Sequence, residues 1–114
     1  MADIDSIRVD GVDYNIGSGM SKTRYTVASS SWSASQNASG YYTNTLTLTA
    51  PLDVTFAPNI YIAGSNDSTF PTDAQMSAYN LLDHADLTAS TTLVLYAKAK
   101  PSTSFYVFVE GRTA

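Results

Sequence analysis

Thr43-Asn44-Thr45-Leu46-Thr47-Leu48-Thr49 is the stretch on which the fold turns. In an extended chain Leu46 and Leu48 point one way, and Thr43, Thr45, Thr47 and Thr49 point the other. A side-chain period of two is the geometry of a strand. One apolar face and one hydroxyl-lined face predict a half-buried antiparallel strand. Pro51 ends it.

Working outward, Asn59 to Ala63 reads as a shorter strand with Ile60 and Ile62 on one face, and Gly64-Ser65-Asn66-Asp67-Ser68 as a turn. Thr91–Lys98 and Ser104–Glu110 are the two strongest strands, and Lys100-Pro101-Ser102-Thr103 between them predicts a hairpin. The last strand is apolar on both faces, with Phe105, Val107 and Val109 on one and Tyr106 and Phe108 on the other. Either it forms a subunit interface through these five residues, or it is a central strand covered on both sides.

Upstream, Thr23–Ala28 is a strand, and the polar run Ser29–Gly40 is a loop whose one anchor is the indole of Trp32. Ile7, Val9, Val12, Tyr14 and Ile16 flank Asp10-Gly11, a strong hairpin signal because both turn residues tolerate φ > 0. Gly17-Ser18-Gly19 breaks the run.

One helix is expected, over about 72–85. Thr72 and Gln75 fit a capping box, and Ala74, Ala78, Leu81, Leu82 and Ala85 share one helical face. Asp73 in its first turn and His84 in its last suit the macrodipole. The predicted class is α+β, mainly β: an antiparallel sheet or small β-sandwich with one covering helix. Residues 1–28 form an N-terminal hairpin and docking segment, in which Ile7, Val9, Val12, Tyr14 and Ile16 meet a partner. Residues 29–114 form the β-rich domain.

Composition narrows the function. Charged residues are 14% of the chain, against about 25% in an average globular protein. Ser and Thr supply roughly a quarter of it, a clear excess. The formal net charge is −4, and the six basic residues are scattered, so a phosphate backbone finds no clustered Lys and Arg to bind. There is no cysteine, hence no disulfide and no thiolate metal site. The N-terminal sequence lacks the basic and apolar regions of a signal peptide, and no run has the roughly 18 apolar residues of a membrane span. A protein made in the cytoplasm, without membrane insertion, is expected.

The inventory of reactive groups is thin. His84 is the one histidine, and in a helix Asp83 and Asp86 beside it in sequence would not face it. A capping or surface role is therefore expected for it. Glu110 is the one glutamate, with no second acid assignable opposite it. Asp10-Gly11-Val12-Asp13 lacks the alternating oxygens of a calcium loop. No nucleophile elbow, phosphate loop or dinucleotide fingerprint occurs. No catalytic residue, metal or cofactor is expected. The aromatics carry more weight: Trp32, Tyr41 and Tyr42 offer stiff contact area with polar tips, suited to subunit packing or to stacking on sugars.

The order Trp32, Tyr42, Leu46, Leu48, Pro58, Ile60, Ala74, Ala78, Tyr79, Tyr96, Ala97, Lys100, Pro101 and the apolar 105–109 strand resembles a small module found at the ends of tail-fibre and baseplate proteins of phages and prophages of Gram-positive bacteria. The resemblance covers about the last 80 residues. Its most specific part is Tyr96-Ala97-Lys98-Ala99-Lys100-Pro101 followed by an apolar strand. It implies a virion structural protein that is a homotrimer and joins other virion proteins through its N-terminal segment, and it carries over no catalytic residues. The module usually ends a longer protein, but about thirty residues precede it here, which points to a self-standing decoration, head-fibre or tail-tip component. The competing expectation is an adhesin that recognises host-surface glycans through Trp32, Tyr41 and Tyr42.

Overall fold

The computed structural model describes residues 19–114 and, as backbone alone, residues 6–9 and 12–15. In chain order the elements are β1 (Ser6–Val9), β2 (Val12–Asn15), β3 (Met20–Val27), a 3-10 turn at Ser29–Ser31, β4 (Tyr42–Thr47), β5 (Asn59–Ala63), α1 (Asp73–Tyr79), β6 (Leu82–Ala89), β7 (Thr92–Ala97) and β8 (Phe105–Arg112). β1 and β2 pair antiparallel with Val9 opposite Val12, the register of the expected hairpin. The docking role expected of Ile7, Val9, Val12, Tyr14 and Ile16 falls on side chains outside the described residues.

Two three-stranded antiparallel sheets, ordered β3-β8-β5 and β4-β7-β6, pack as a sandwich. Strict alternation along each central strand builds the core. Phe105, Val107 and Val109 of β8 and Leu93, Leu95 and Ala97 of β7 are all at most 2% exposed and belong to one apolar cluster. Val27 of β3 and Leu46 of β4 complete it from the flanking strands, and Leu48, Leu52 and Trp32 from the connections. Full burial of each large apolar side chain stabilises the fold by about 1.5–3 kcal/mol. The mainly-β architecture with one helix is the class the sequence predicts.

Four expectations about individual elements need correction. First, β7 and β8 do not form a hairpin. They lie in different sheets, and residues 98–104 carry the chain from one to the other, with Pro101 fully buried. Each of the two most apolar strands gains more by centring its own sheet than by pairing with the other. Second, of the two readings of the last strand the central strand is the one found, with β8 hydrogen-bonded to β3 on one side and β5 on the other. Its inner residues Phe105, Val107 and Val109 are consumed by the core, so they offer nothing to a second subunit. Tyr106 and Phe108, half-buried on the outer face, remain available. Third, β3 pairs with β8 along its whole length, so Met20–Val27 belongs to the sandwich and not to an N-terminal segment ending at residue 28.

Fourth, the helix ends at Tyr79, and Leu82–Ala89 is a strand. The capping box is present, with the Thr72 hydroxyl accepting from the Gln75 amide and the Gln75 side chain accepting from the Thr72 amide. Leu82, Ala85 and Leu87 are half-buried and pack on the core. The register with β7 shifts between Leu82 and His84, leaving Asp83 as an extra residue. That bulge moves the apolar positions onto a spacing a helix also satisfies, which is why Leu82 and Ala85 fit both readings.

Candidate functional site

The bulge in β6 gathers a cluster of polar and aromatic groups. An extra residue in one strand re-aims its side chain. Here the Asp83 Oδ2 comes within 2.7 Å of the His84 Nδ1. The His84 ring, opposite Tyr96 in the register, stacks on it at 4.4 Å with only 9° between the planes. Tyr41 meets both rings edge-on, at 5.1 Å from His84 and 6.0 Å from Tyr96. The Lys98 Nζ lies 5.8 Å from the Tyr41 ring centre.

Tyr41 is held there by its own loop. The Asn37 Oδ1 accepts from the backbone amides of Ser39 and Tyr41, and the Asn37 amide donates back to the Tyr41 carbonyl at 2.8 Å. Gly40 supplies the positive φ, +87°, that closes the turn. The Gln36 side chain donates to the carbonyls of Gly40 and Lys98, tying the loop to the end of β7. Polar side chains, as well as Trp32, fix this segment.

The Asp83 carboxyl is held below its ordinary value first by the hydrogen bond with His84. Partial burial opposes the shift, and the Tyr41 hydroxyl and the charges of His84 and Lys98 add to it. Asp83 therefore stays ionised at neutral pH.

Beside this cluster, in the gap between the edge strands β5 and β6, lies a cleft of about 240 Å³. Leu95, fully buried, forms its base, and the half-buried Ile60, Tyr79, Leu82 and Ala85 line it. The exposed Asn80, Asp83 and His84 border its mouth. The Tyr79 hydroxyl donates to the Ile60 carbonyl, so α1 is tied to β5 across the cleft.

The outer face of β3-β8-β5 differs in character. The register places Arg24, Phe108 and Tyr61 in one row and Lys22, Glu110 and Asn59 in the next. The Lys22 Nζ lies 4.5 Å and the Arg24 guanidinium 4.7 Å from the Phe108 ring centre, two cation–π contacts on one ring. Tyr61 packs against Phe108 at 5.5 Å, and Asp67 pairs with Arg24 at 2.5 Å.

The expected glycan residues separate. Trp32 is 7% exposed within the core cluster, so it cannot offer a face to a sugar. Tyr42 is half-buried against the core, with Lys100 5.1 Å from its ring centre. Tyr41 alone joins the polar cluster. His84, read from sequence as a helix cap, lies on a strand, and the neighbouring Asp83 does reach it. Sequence reasoning missed this pairing because it placed both residues on a helix. The alternation of His84-Ala85-Asp86-Leu87 was the signal to weigh against that placement.

Among the described residues no three His, Asp or Glu side chains gather as metal ligands, and no helix is long and apolar enough to cross a membrane. No hydroxyl is hydrogen-bonded to the His84 ring among them. Compared with family models, curated proteins and solved structures, the chain matches none.

Proposed function

We propose that this chain is a non-enzymatic phage virion structural protein, a fibre, tail-tip or capsid-decoration component. It acts by assembling with copies of itself and by docking on other virion proteins through its N-terminal segment. The virion reading draws on the module pattern from Trp32 to Val109. The assembly reading draws on the unlike chemistry of the two outer sheet faces.

A cyclic trimer is built from heterologous contacts, in which one patch of a protomer meets a different patch of the next. The β3-β8-β5 face is aromatic and carries both signs of charge, with Lys22 and Arg24 over Phe108 beside Tyr61 and Tyr106, and Glu110 and Asp67 next to those cations. The β4-β7-β6 face carries Thr43, Thr45 and Thr47 on β4 and Asp86 on β6. An aromatic surface of mixed charge meeting a hydroxyl-rich one makes the two patches unlike, and the placement of their charges sets the register.

Native mass by light scattering tests this. The full chain is expected at three times its 12.2 kDa mass. Phe108→Asp, on the outer face and outside the core, is expected to yield a folded monomer. A wild-type monomer at micromolar concentration, or a trimer unaffected by Phe108→Asp, would overturn the assembly reading.

A further inference from the structure

We infer that the cleft between β5 and β6 is a binding site for a single neutral pyranose ring, with Asp83 and Asn80 as the groups that read its hydroxyls. This site goes beyond the structural role; His84 at its mouth lies on the outer side of β6, so the site adjoins one of the two assembly faces.

Three observations carry it. The cleft is amphipathic: Leu95, Ile60, Leu82 and Ala85 form an apolar interior, while an amide and a carboxylate stand at the mouth. Its volume of about 240 Å³ suits one ring. A pyranose has this same division, with a C–H face that packs on apolar and aromatic surface and an edge of hydroxyls that donate and accept. The Tyr79 hydroxyl is engaged with the Ile60 carbonyl, so its ring is fixed as one of the lining surfaces.

The mouth is also built in advance. The β6 bulge aims Asp83, and its bond to His84, itself stacked on Tyr96 and flanked by Tyr41, holds the carboxylate in place. A carboxylate has about four lone-pair sites, so its bonds to His84 and the Tyr41 hydroxyl leave acceptors for ligand hydroxyls. Asn80 adds both donors and an acceptor. With Asp83 ionised and a net charge of −4 on the chain, an anionic ligand is disfavoured.

The test is amide chemical-shift titration of the full chain with methyl β-D-glucopyranoside and with N-acetylglucosamine at millimolar concentration, with cyclohexanol as the apolar control. At least one sugar is expected to shift the amides of Asn80, Asp83, His84 and Ala85 saturably. Ala85→Met, which fills the cleft, is expected to abolish the response. Asp83→Asn, which keeps the shape, is expected to weaken it roughly five- to tenfold. If Ala85→Met does not fold, the Asp83→Asn ratio decides. No shift with either sugar, equal binding of cyclohexanol, or affinity unchanged in Asp83→Asn each overturns the inference. Sugar binding by a monomeric wild type would sustain the cleft while sinking the assembly reading, and a trimer without binding would do the reverse.

Discussion

Asn44 sits on the inner face of β4, opposite Leu95, and is 1% exposed. A polar side chain there is tolerated because its amide donates to the Ala28 carbonyl at 3.1 Å. That bond closes the edge of the sandwich where the chain leaves β3 for its 3-10 turn. Asn44→Ala leaves the carbonyl without this donor and opens a small void. A loss of about 1–3 kcal/mol is expected, read as a lower midpoint in urea unfolding with unchanged slope. A shift too small to measure would mean that water replaces the amide at no cost. Gly64 shows a different constraint: a Cβ there would lie 1.7 Å from the Thr69 carbonyl oxygen, so no side chain fits while the turn keeps its path. Neither constraint is visible in the residues themselves, because each depends on a neighbour brought in by the fold.

At the scale of elements, α1 is only seven residues long, well short of what is stable alone in water. It persists because its capping box satisfies two amides and because Ala78 and Tyr79 pack on the sandwich, the Tyr79 ring meeting Phe105 edge-on at 6.1 Å. Thr72→Ala is expected to cost about 1 kcal/mol in the unfolding free energy. Absence of any effect in denaturant unfolding would mean that packing alone holds the helix. The start of α1 was legible in the sequence, since a cap is local chemistry. Its end was not. Leu81, Leu82 and Ala85 fit a helical face, and only pairing with β7, whose Leu93, Leu95 and Ala97 need cover, draws residues 82–89 into a strand.

At the scale of the whole molecule, β3 to β8 make up both three-stranded sheets, and the described strands β1 and β2 pair with each other. A chain beginning at Gly19 is therefore expected to keep the thermal transition of the full protein within a few degrees, read by circular dichroism. A large drop would show that the N-terminal hairpin braces the sandwich. The same truncated chain separates two roles: if docking resides in the N-terminal segment, docking is lost while self-assembly through the sheet faces survives.

Residue order alone was enough for most strands of period two, the pairing of β1 with β2, the cap of α1 and the mainly-β class. All of these are local, fixed by side-chain alternation and backbone chemistry within a few residues. Long-range packing was needed to place β7 and β8 at the centres of opposite sheets, turn Trp32 inward, stop the helix at Tyr79 and bring Asp83, His84, Tyr96 and Tyr41 together beside a cleft. These depend on which apolar faces cover one another, and that choice is made by burial over the whole sandwich. No short stretch carries it, and so the candidate site was far less legible than the fold.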